Sequence, residues 1–294
     1  MKNIARIDFK LWAVGLLLWV GAVWAAERED LIRRGEKVFL LGGCGNCHTA
    51  ESGPLAAGGE PLITPFGTFY PPNLTPDPET GIGKWSEEEF IQALQEGISP
   101  EGQPYYPAFP FTSYTKMSVR DIRALRAYLK ALPAVKRRAP EHELRFPFNL
   151  RPGLWVWRWL FFRPERFKPD PFRSETWNRG AYLVEAIGHC GECHTPRNFL
   201  GALDWDRAYG GAVLGEIKAP NITPDPDYGI GEWSREDLSY FLKTGIKPDG
   251  DTASGEMAKV IRGGTARLDE ADLAAIIEYL TSLRPIASDP TQKP

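Results

Sequence analysis

The sequence has little of what most function classes require. Of its 294 residues only four are Cys, four are His and three are Met. Basic charge is not in excess: 35 Lys or Arg stand against 38 Asp or Glu, a formal net charge of −3. That balance excludes a basic nucleic-acid-binding protein. Only one apolar run approaches bilayer length, so a multi-span membrane protein is excluded too. No Ser-His-Asp set, phosphate-cradling glycine loop or metalloprotease helix is present, and no stretch sustains the alternation of a strand. What abounds is punctuation. The 29 Gly and 26 Pro predict a loop-rich fold rather than a long-helix bundle. The length and the 43% hydrophobic content suffice for two modest domains, each with its own core.

Residues 1–26 read as a targeting segment. Lys2, Arg6 and Lys10 precede an apolar run from Leu11 to Ala26, which gives way to Glu27-Arg28-Glu29-Asp30. A basic flank, a short apolar stretch and small exit residues fit a bacterial-type export signal. Sixteen helical residues cover about 24 Å, short of the roughly 30 Å hydrocarbon core. With Phe9 included, the run also serves as a retained anchor, and both readings stay open. Either way the remainder is expected on the periplasmic side of a bacterial inner membrane, anchored or soluble, with the basic end in the cytoplasm.

The rest of the chain is duplicated. Pro72-Asn73-Leu74-Thr75-Pro76-Asp77-Pro78 recurs as Pro220-Asn221-Ile222-Thr223-Pro224-Asp225-Pro226, and Gly81-Ile82-Gly83-Lys84-Trp85-Ser86 as Gly229-Ile230-Gly231-Glu232-Trp233-Ser234. The copies run in step over a whole domain, which predicts tandem domains at 27–132 and 176–294, joined by a connector at 133–175. Each copy has a first helix (Asp30–Leu41; Trp177–Ile187), then a helix behind a capping box, Ser86 with Glu89 and Ser234 with Asp237, stopped by Gly97 and Gly245. A last helix carries Ile122, Leu125 and Leu129, or Leu273, Ile276 and Leu280. Three short helices and long loops make a poor core unaided, so something else must fill the centre of each domain.

All four cysteines lie in two motifs, Cys44-Gly45-Asn46-Cys47-His48 and Cys190-Gly191-Glu192-Cys193-His194. Cys-x-x-Cys-His is the attachment signature of c-type haem. Two thiols one helical turn apart add to the porphyrin vinyl groups, and the adjacent imidazole then ligates iron, with Met or His from the opposite side. The competing readings are a redox dithiol, a zinc site or structural disulfides. The first lacks a βαβ context, and zinc would find only three ligands per motif.

With these residues in view, the chain resembles class I c-type cytochromes, and more narrowly the cytochrome subunits of membrane-bound alcohol, aldehyde and gluconate dehydrogenases. The resemblance runs from about residue 30 to 284. It rests on the two haem motifs, the Asn-[Leu/Ile]-Thr-Pro-Asp segments, the Gly-Ile-Gly-x-Trp-Ser turns and His194-Thr195-Pro196-Arg197-Asn198. It implies a mostly α fold of two tandem class I cytochrome c domains around two covalently bound haem c groups. Those subunits carry three haem domains; this chain has two motifs.

The resemblance also implies a thioether distal ligand, and Met117 and Met257 supply one candidate per copy beside His48 and His194. Met257 falls in an expected loop between the middle and last helices. The two methionines are not equivalent: matching Tyr128 to Tyr279 sets Met117 against Leu268 and Met257 against Tyr106. Related subunits have Met in a Pro-Ala-Met-Pro segment that here reads Pro107-Ala108-Phe109-Pro110, and Phe109 cannot bind iron. Met117 must therefore arrive by another loop path. His142 is the second candidate, an open site the third, and core packing the alternative use of either methionine. His189 reads as a surface or supporting residue. A carbonyl near Pro54 or Pro196 is expected to orient the ligating imidazole. Trp85 and Trp233 are placed either against haem propionates or in the core. Gly35 and Gly180 are expected to let first and last helices cross closely, beside Tyr128 and Tyr279.

The connector differs in character. It holds ten Lys or Arg against five acids, and with residues 1–26 at +2 the two domains are left with −10. Its Leu154-Trp155-Val156-Trp157-Arg158-Trp159-Leu160-Phe161-Phe162 run is too short to span a bilayer. It is expected to pack across the domain boundary or, alternatively, to lie on a membrane surface. The functional expectation is electron relay in a respiratory chain, from a dehydrogenase or quinol-side donor to an oxidase or soluble cytochrome. The chain would then be an electron-transfer protein or the cytochrome subunit of an oxidoreductase. A dihaem enzyme of peroxidase or thiosulfate-oxidising type, with one open haem, is the alternative; a purely structural haem subunit is the third reading.

Overall fold

The computed structural model describes residues 24–215 and 217–288. The segment read as a signal or anchor lies, but for its last three residues, outside the described residues. Among those described, no helix is long and apolar enough to cross a membrane.

The chain folds as two copies of one helical plan. In the first, a helix described from 24 to 41 (α1) leads into a short helix Cys44–His48 (α2), followed by α3 at Glu87–Glu96, α4 at Phe111–Tyr114 and α5 at Val119–Ala131. The connector contributes α6, Pro152–Phe161. In the second copy α7 (Glu175–Tyr182) runs on as a π-helical turn, Leu183–Ile187, before α8 (Gly191–His194), α9 (Arg235–Thr244), α10 (Gly255–Gly263) and α11 (Glu270–Leu280). The expected first helix of copy two is thus α-helical for only part of its length.

Both expected capping boxes form. Ser86 accepts from the Glu89 amide at 3.1 Å while the Glu89 carboxylate accepts from the Ser86 amide at 2.7 Å. Ser234 and Asp237 repeat the arrangement at 3.0 Å in both directions. Three glutamates in the first turn of α3 also face the positive end of its dipole. Each helix stops at a glycine in the left-handed region, Gly97 at φ 60° and Gly245 at φ 79°. Small sheets were not expected. Leu62–Thr64 (β1) and Gly67–Phe69 (β2) form a hairpin that Glu143–Leu144 (β3) of the connector extends, and Ala212–Leu214 (β4) pairs with Ile217–Ala219 (β5), all antiparallel. Strands of three residues are too short for alternation to announce them.

First and last helices cross as expected. A β-carbon on Gly35 would lie 1.9 Å from the Ala124 carbonyl oxygen, and one on Gly180 1.9 Å from that of Ala275. Tyr128 and Tyr279 lie beside these crossings. The buried residues of the two copies form one continuous cluster. Its polar clasp is Asp121, buried at the start of α5. The Asp121 carboxylate accepts from Tyr182 Oη at 2.5 Å, Arg34 Nε at 2.7 Å and Ser118 Oγ at 2.9 Å, so one carboxylate ties α1, α5 and α7 together. Burial alone would raise its pKa, but these hydrogen bonds and the Arg34 charge outweigh burial and hold it below the ordinary value.

The connector binds both halves. Phe111 meets Phe162 and Trp157 edge-on, at centroid distances of 4.9 and 6.4 Å, and Trp157 Nε1 donates to the Leu200 carbonyl at 2.9 Å. The expected packing across the boundary is therefore present, though not for the whole run. Trp155 and Trp159 are 50% and 72% exposed on the other side of α6.

Candidate functional site

Each cysteine motif begins where a long helix has just ended. In the first copy Gly42 and Gly43 break α1, and Gly43, at φ 59°, starts the single turn Cys44–His48. One turn brings Cys44 and Cys47 to one side of the helix and places His48 directly after. The second copy repeats this with Cys190, Cys193 and His194. No disulfide joins any two of the four cysteines. Burial pushes the Cys44 and Cys190 thiols up to about 12 and Cys193 to about 11, and raises Cys47 as well. Desolvation thus opposes ionisation at these sulfurs, which argues against the low-pKa thiolate of a redox dithiol. Among the described residues no group of three or more His, Cys, Asp or Glu is gathered to hold a metal ion.

The two imidazoles are oriented identically. His48 Nδ1 lies 2.7 Å from the Pro72 carbonyl oxygen and His194 Nδ1 2.7 Å from that of Pro220. A carbonyl only accepts, so Nδ1 carries the proton and Nε2 keeps its lone pair. Burial depresses both imidazole pKa values, with the proline carbonyl opposing, and favours the neutral ring. Two neutral thiols one turn apart, beside an imidazole presenting a free Nε2, fit the donor set of covalent haem in each half.

The orienting carbonyls are not those expected near Pro54 and Pro196. Pro54 O accepts from the Ala57 amide at 3.2 Å and Pro196 O from the Asp204 amide at 2.8 Å, so both are engaged in local turns. The Pro72 and Pro220 carbonyls instead open the duplicated Pro-Asn segments, whose side chains hold them in place. Asn73 Oδ1 accepts from the Thr75 amide at 2.9 Å and its Nδ2 donates to Val135 O at 2.7 Å. Asn221 does the same, with the Thr223 amide at 2.8 Å and Ile286 O at 2.6 Å. The recurrence of these segments was the signal that could have identified them.

The methionines occupy different settings. Met117 is 1% exposed and immediately precedes Ser118, the N-cap of α5; its carbonyl accepts from Gln95 Nε2 at 2.7 Å. Met257 is half-buried in the first turn of α10, not in a loop. There Met257 and the buried Ile261 sit four residues apart on one helix face. His142 Nδ1 accepts from the Tyr70 amide at 3.2 Å, and its ring meets Phe69 and Tyr106 edge-on. Phe109 packs against Tyr105 and Tyr114. Trp85 and Trp233 are half-buried against the core cluster.

The structure also brings the two motifs together, which the sequence did not foretell. The Gly42 carbonyl, two residues before Cys44, receives His189 Nε2 at 3.1 Å and Tyr114 Oη at 3.2 Å. Glu192, buried inside the second motif, accepts from Thr112 Oγ1 at 2.5 Å and Ser113 Oγ at 2.9 Å of α4, and from Arg197 at 2.6 Å.

Comparison with known proteins agrees with this geometry. A family model described as cytochrome c matches residues 32–133. A protein named diheme cytochrome c-type from Cereibacter sphaeroides is 44% identical over 254 residues, 84% of this chain and 84% of that protein. A nicotinate dehydrogenase subunit of Pseudomonas putida is 42% identical over 265 residues, 88% of this chain but 22% of its own length. The fructose dehydrogenase cytochrome subunit of Gluconobacter japonicus is 40% identical over 264 residues, 88% of this chain and 54% of its own. The chain thus spans about a fifth and about half of these two dehydrogenase subunits.

Proposed function

The chain belongs to the cytochrome c family, and from that premise we propose that it carries two haem c groups and relays electrons between redox proteins. The observation that carries this reading is the doubled geometry: in each half, two free thiols one turn apart beside an imidazole whose Nδ1 is 2.7 Å from a proline carbonyl. Residues 27–132 and 176–294 form the two haem domains, with 133–175 between them. Cys44 and Cys47 hold one group, Cys190 and Cys193 the other. Bound haem c supplies one-electron exchange at its iron.

The protein's own residues set the conditions for that exchange. His48 and His194 offer Nε2 to iron, and the Pro72 and Pro220 carbonyls fix ring orientation and increase the basicity of the ligating nitrogen. Met117 and Met257 would be the thioether ligands, and a His–Met pair would raise the reduction potential. If both sulfurs bound, the iron would have no free position for a substrate.

The names of the relatives support a dehydrogenase as donor; the acceptor would be an oxidase or a soluble cytochrome. The −10 carried by the two domains suits docking to basic patches, with rates that fall as salt rises. Residues 1–26 direct export to the periplasmic side of the inner membrane, as signal or anchor.

The test is spectroscopic. Haem is counted per chain by the pyridine haemochrome method, and the long-wavelength thioether–ferric band is compared among wild type, Met117→Ala and Met257→Ala. Two haems per chain, and loss of about half the band in each variant, are expected from one thioether on each of two irons. An intact band in Met117→Ala would move the first distal ligand elsewhere, with His142 next. Stoichiometric carbon monoxide binding to one reduced wild-type haem would return the chain to the dihaem-enzyme class.

A further inference from the structure

His189 stands out once the two copies are superposed in sequence. The residue before the first cysteine of each motif adopts the left-handed conformation, Gly43 at φ 59° and His189 at φ 38°. Glycine enters that region freely, whereas a residue with a β-carbon is disfavoured there. The second copy therefore places a side chain where glycine would serve the backbone better. What it gains is a contact across the boundary. His189 Nε2 donates to the Gly42 carbonyl at 3.1 Å, and the Tyr114 ring stands edge-on to the imidazole at 5.4 Å.

This contact is not needed to hold the halves together. Asp121 already joins α1, α5 and α7, Lys116 pairs with Glu185 at 2.5 Å, and Glu192 fastens α4 to the second motif. The contact links something more specific. From Cys190 the path runs through the His189 backbone and ring, across one hydrogen bond to the Gly42 carbonyl, then through Gly43 to Cys44. Along the chain alone, the two cysteines are separated by almost half the protein. The residues around this bridge are in ordinary van der Waals contact across the boundary. A β-carbon on Gly42 would lie 3.5 Å from both Ile187 O and Cys44 Sγ, and one on Gly188 3.5 Å from Leu41 and 3.7 Å from Cys190 Sγ.

We propose that His189 is a positioning residue for electron exchange between the two halves: it fixes the spacing of the two attachment turns and provides the hydrogen-bonded bridge between them. The proposal rests on the reading that each half binds haem c. In the step it assists, one electron leaves a ferrous iron in one half and arrives at a ferric iron in the other. The first becomes ferric and the second ferrous, and no proton or bond is exchanged.

The experiment uses the full-length holoprotein with His189→Gly, His189→Phe and His189→Gln. The glycine variant relieves the backbone and is expected to fold at least as well as wild type. Phenylalanine keeps the ring without the donor, and glutamine restores an N–H. Haem per chain, melting temperature, both midpoint potentials and the rate of intramolecular electron exchange after flash photoreduction are measured. Glycine and phenylalanine should slow exchange roughly tenfold with two haems and unshifted potentials, and glutamine should recover part of the rate. An unchanged exchange rate in the glycine and phenylalanine variants, whether or not the melting temperature falls, overturns the bridge. Fewer than two haems in wild type overturns the underlying reading itself, and the proposal with it.

Discussion

Replacing Gly35 or Gly180 by Ala tests the closest approach in each half. Judged as a helix residue alone, the change should stabilise by about 1 kcal/mol, because alanine is the better helix former. The structure predicts the opposite sign. The added carbon at 35 would stand 1.9 Å from the Ala124 oxygen, 2.5 Å from its carbonyl carbon and 2.8 Å from Tyr128 Cβ. At 180 the corresponding distances, to Ala275 and Tyr279, are 1.9, 2.5 and 2.9 Å. Ordinary contact begins near 3.4 Å, so the helices must part by more than an ångström. Most of the atoms met are backbone, and no rotamer change removes them. Overpacking of this kind costs roughly 1–3 kcal/mol, and rigid backbone puts it at the upper end. A net loss of about 2 kcal/mol lowers Tm by roughly 4–8 °C in a protein of this size. Each variant should strike its own half, so haem retention per chain is followed beside thermal unfolding. A Gly35→Ala protein that melts at or above wild type would falsify the close crossing.

Two further outcomes follow from the clasp and the connector. Asp121→Asn removes the charge opposite Arg34 and should cost about 2–3 kcal/mol at neutral pH, less than a fully buried pair because Arg34 is a third exposed. The folded-state pKa of Asp121 is depressed, so its contribution is complete above the ordinary carboxylate range and is lost as pH falls through the folded value. Urea unfolding should show the wild-type advantage shrinking in acid, and an advantage undiminished there would count against the clasp. If α6 lies on a membrane surface, Trp155→Ser with Trp159→Ser should leave folding intact and weaken binding to anionic vesicles, since residues 144–164 contain four arginines and no acid. Deuterium exchange over Pro152–Phe161 with phosphatidylglycerol vesicles reads this directly, and equal protection in variant and wild type refutes a lipid-facing role. Trp157→Ser should instead destabilise, because that indole is tied to Leu200.

The parts of this fold that residue identity can specify were legible. Ser86 and Ser234 announce their helices because a hydroxyl three residues before an acid satisfies free amides in only one geometry. The haem motifs are legible because covalent attachment demands particular atoms at a fixed spacing. Backbone acceptors are different. Any residue carries a carbonyl, so residue type could not distinguish Pro72 from Pro54 as the partner of His48. The recurrence of the Pro-Asn segment could have done so, since side chains that hold a loop must repeat wherever the loop has the same task. Asp121 looks like an ordinary capping acid after Ser118, and Tyr182 like a helix-face aromatic; that they meet depends on how one copy sits against the other, which no local pattern encodes.

The aromatic run of the connector shows where periodicity could have gone further. Residues two apart on an α-helix point about 200° apart and residues four apart nearly coincide. Trp155 and Trp159 therefore had to share a face that Trp157 could not join. The structure places Trp157 against Leu200 and the other two toward solvent. A nine-residue apolar stretch was thus two surfaces from the start, one joining the two halves and one turned to solvent. The same reasoning applies to His189. Its position in the motif marks it as a neighbour of Cys190, but only the left-handed backbone that Gly43 shares explains why its ring turns toward the other copy. The contact of His189 with Gly42 thus comes from a residue that breaks the symmetry of the repeat.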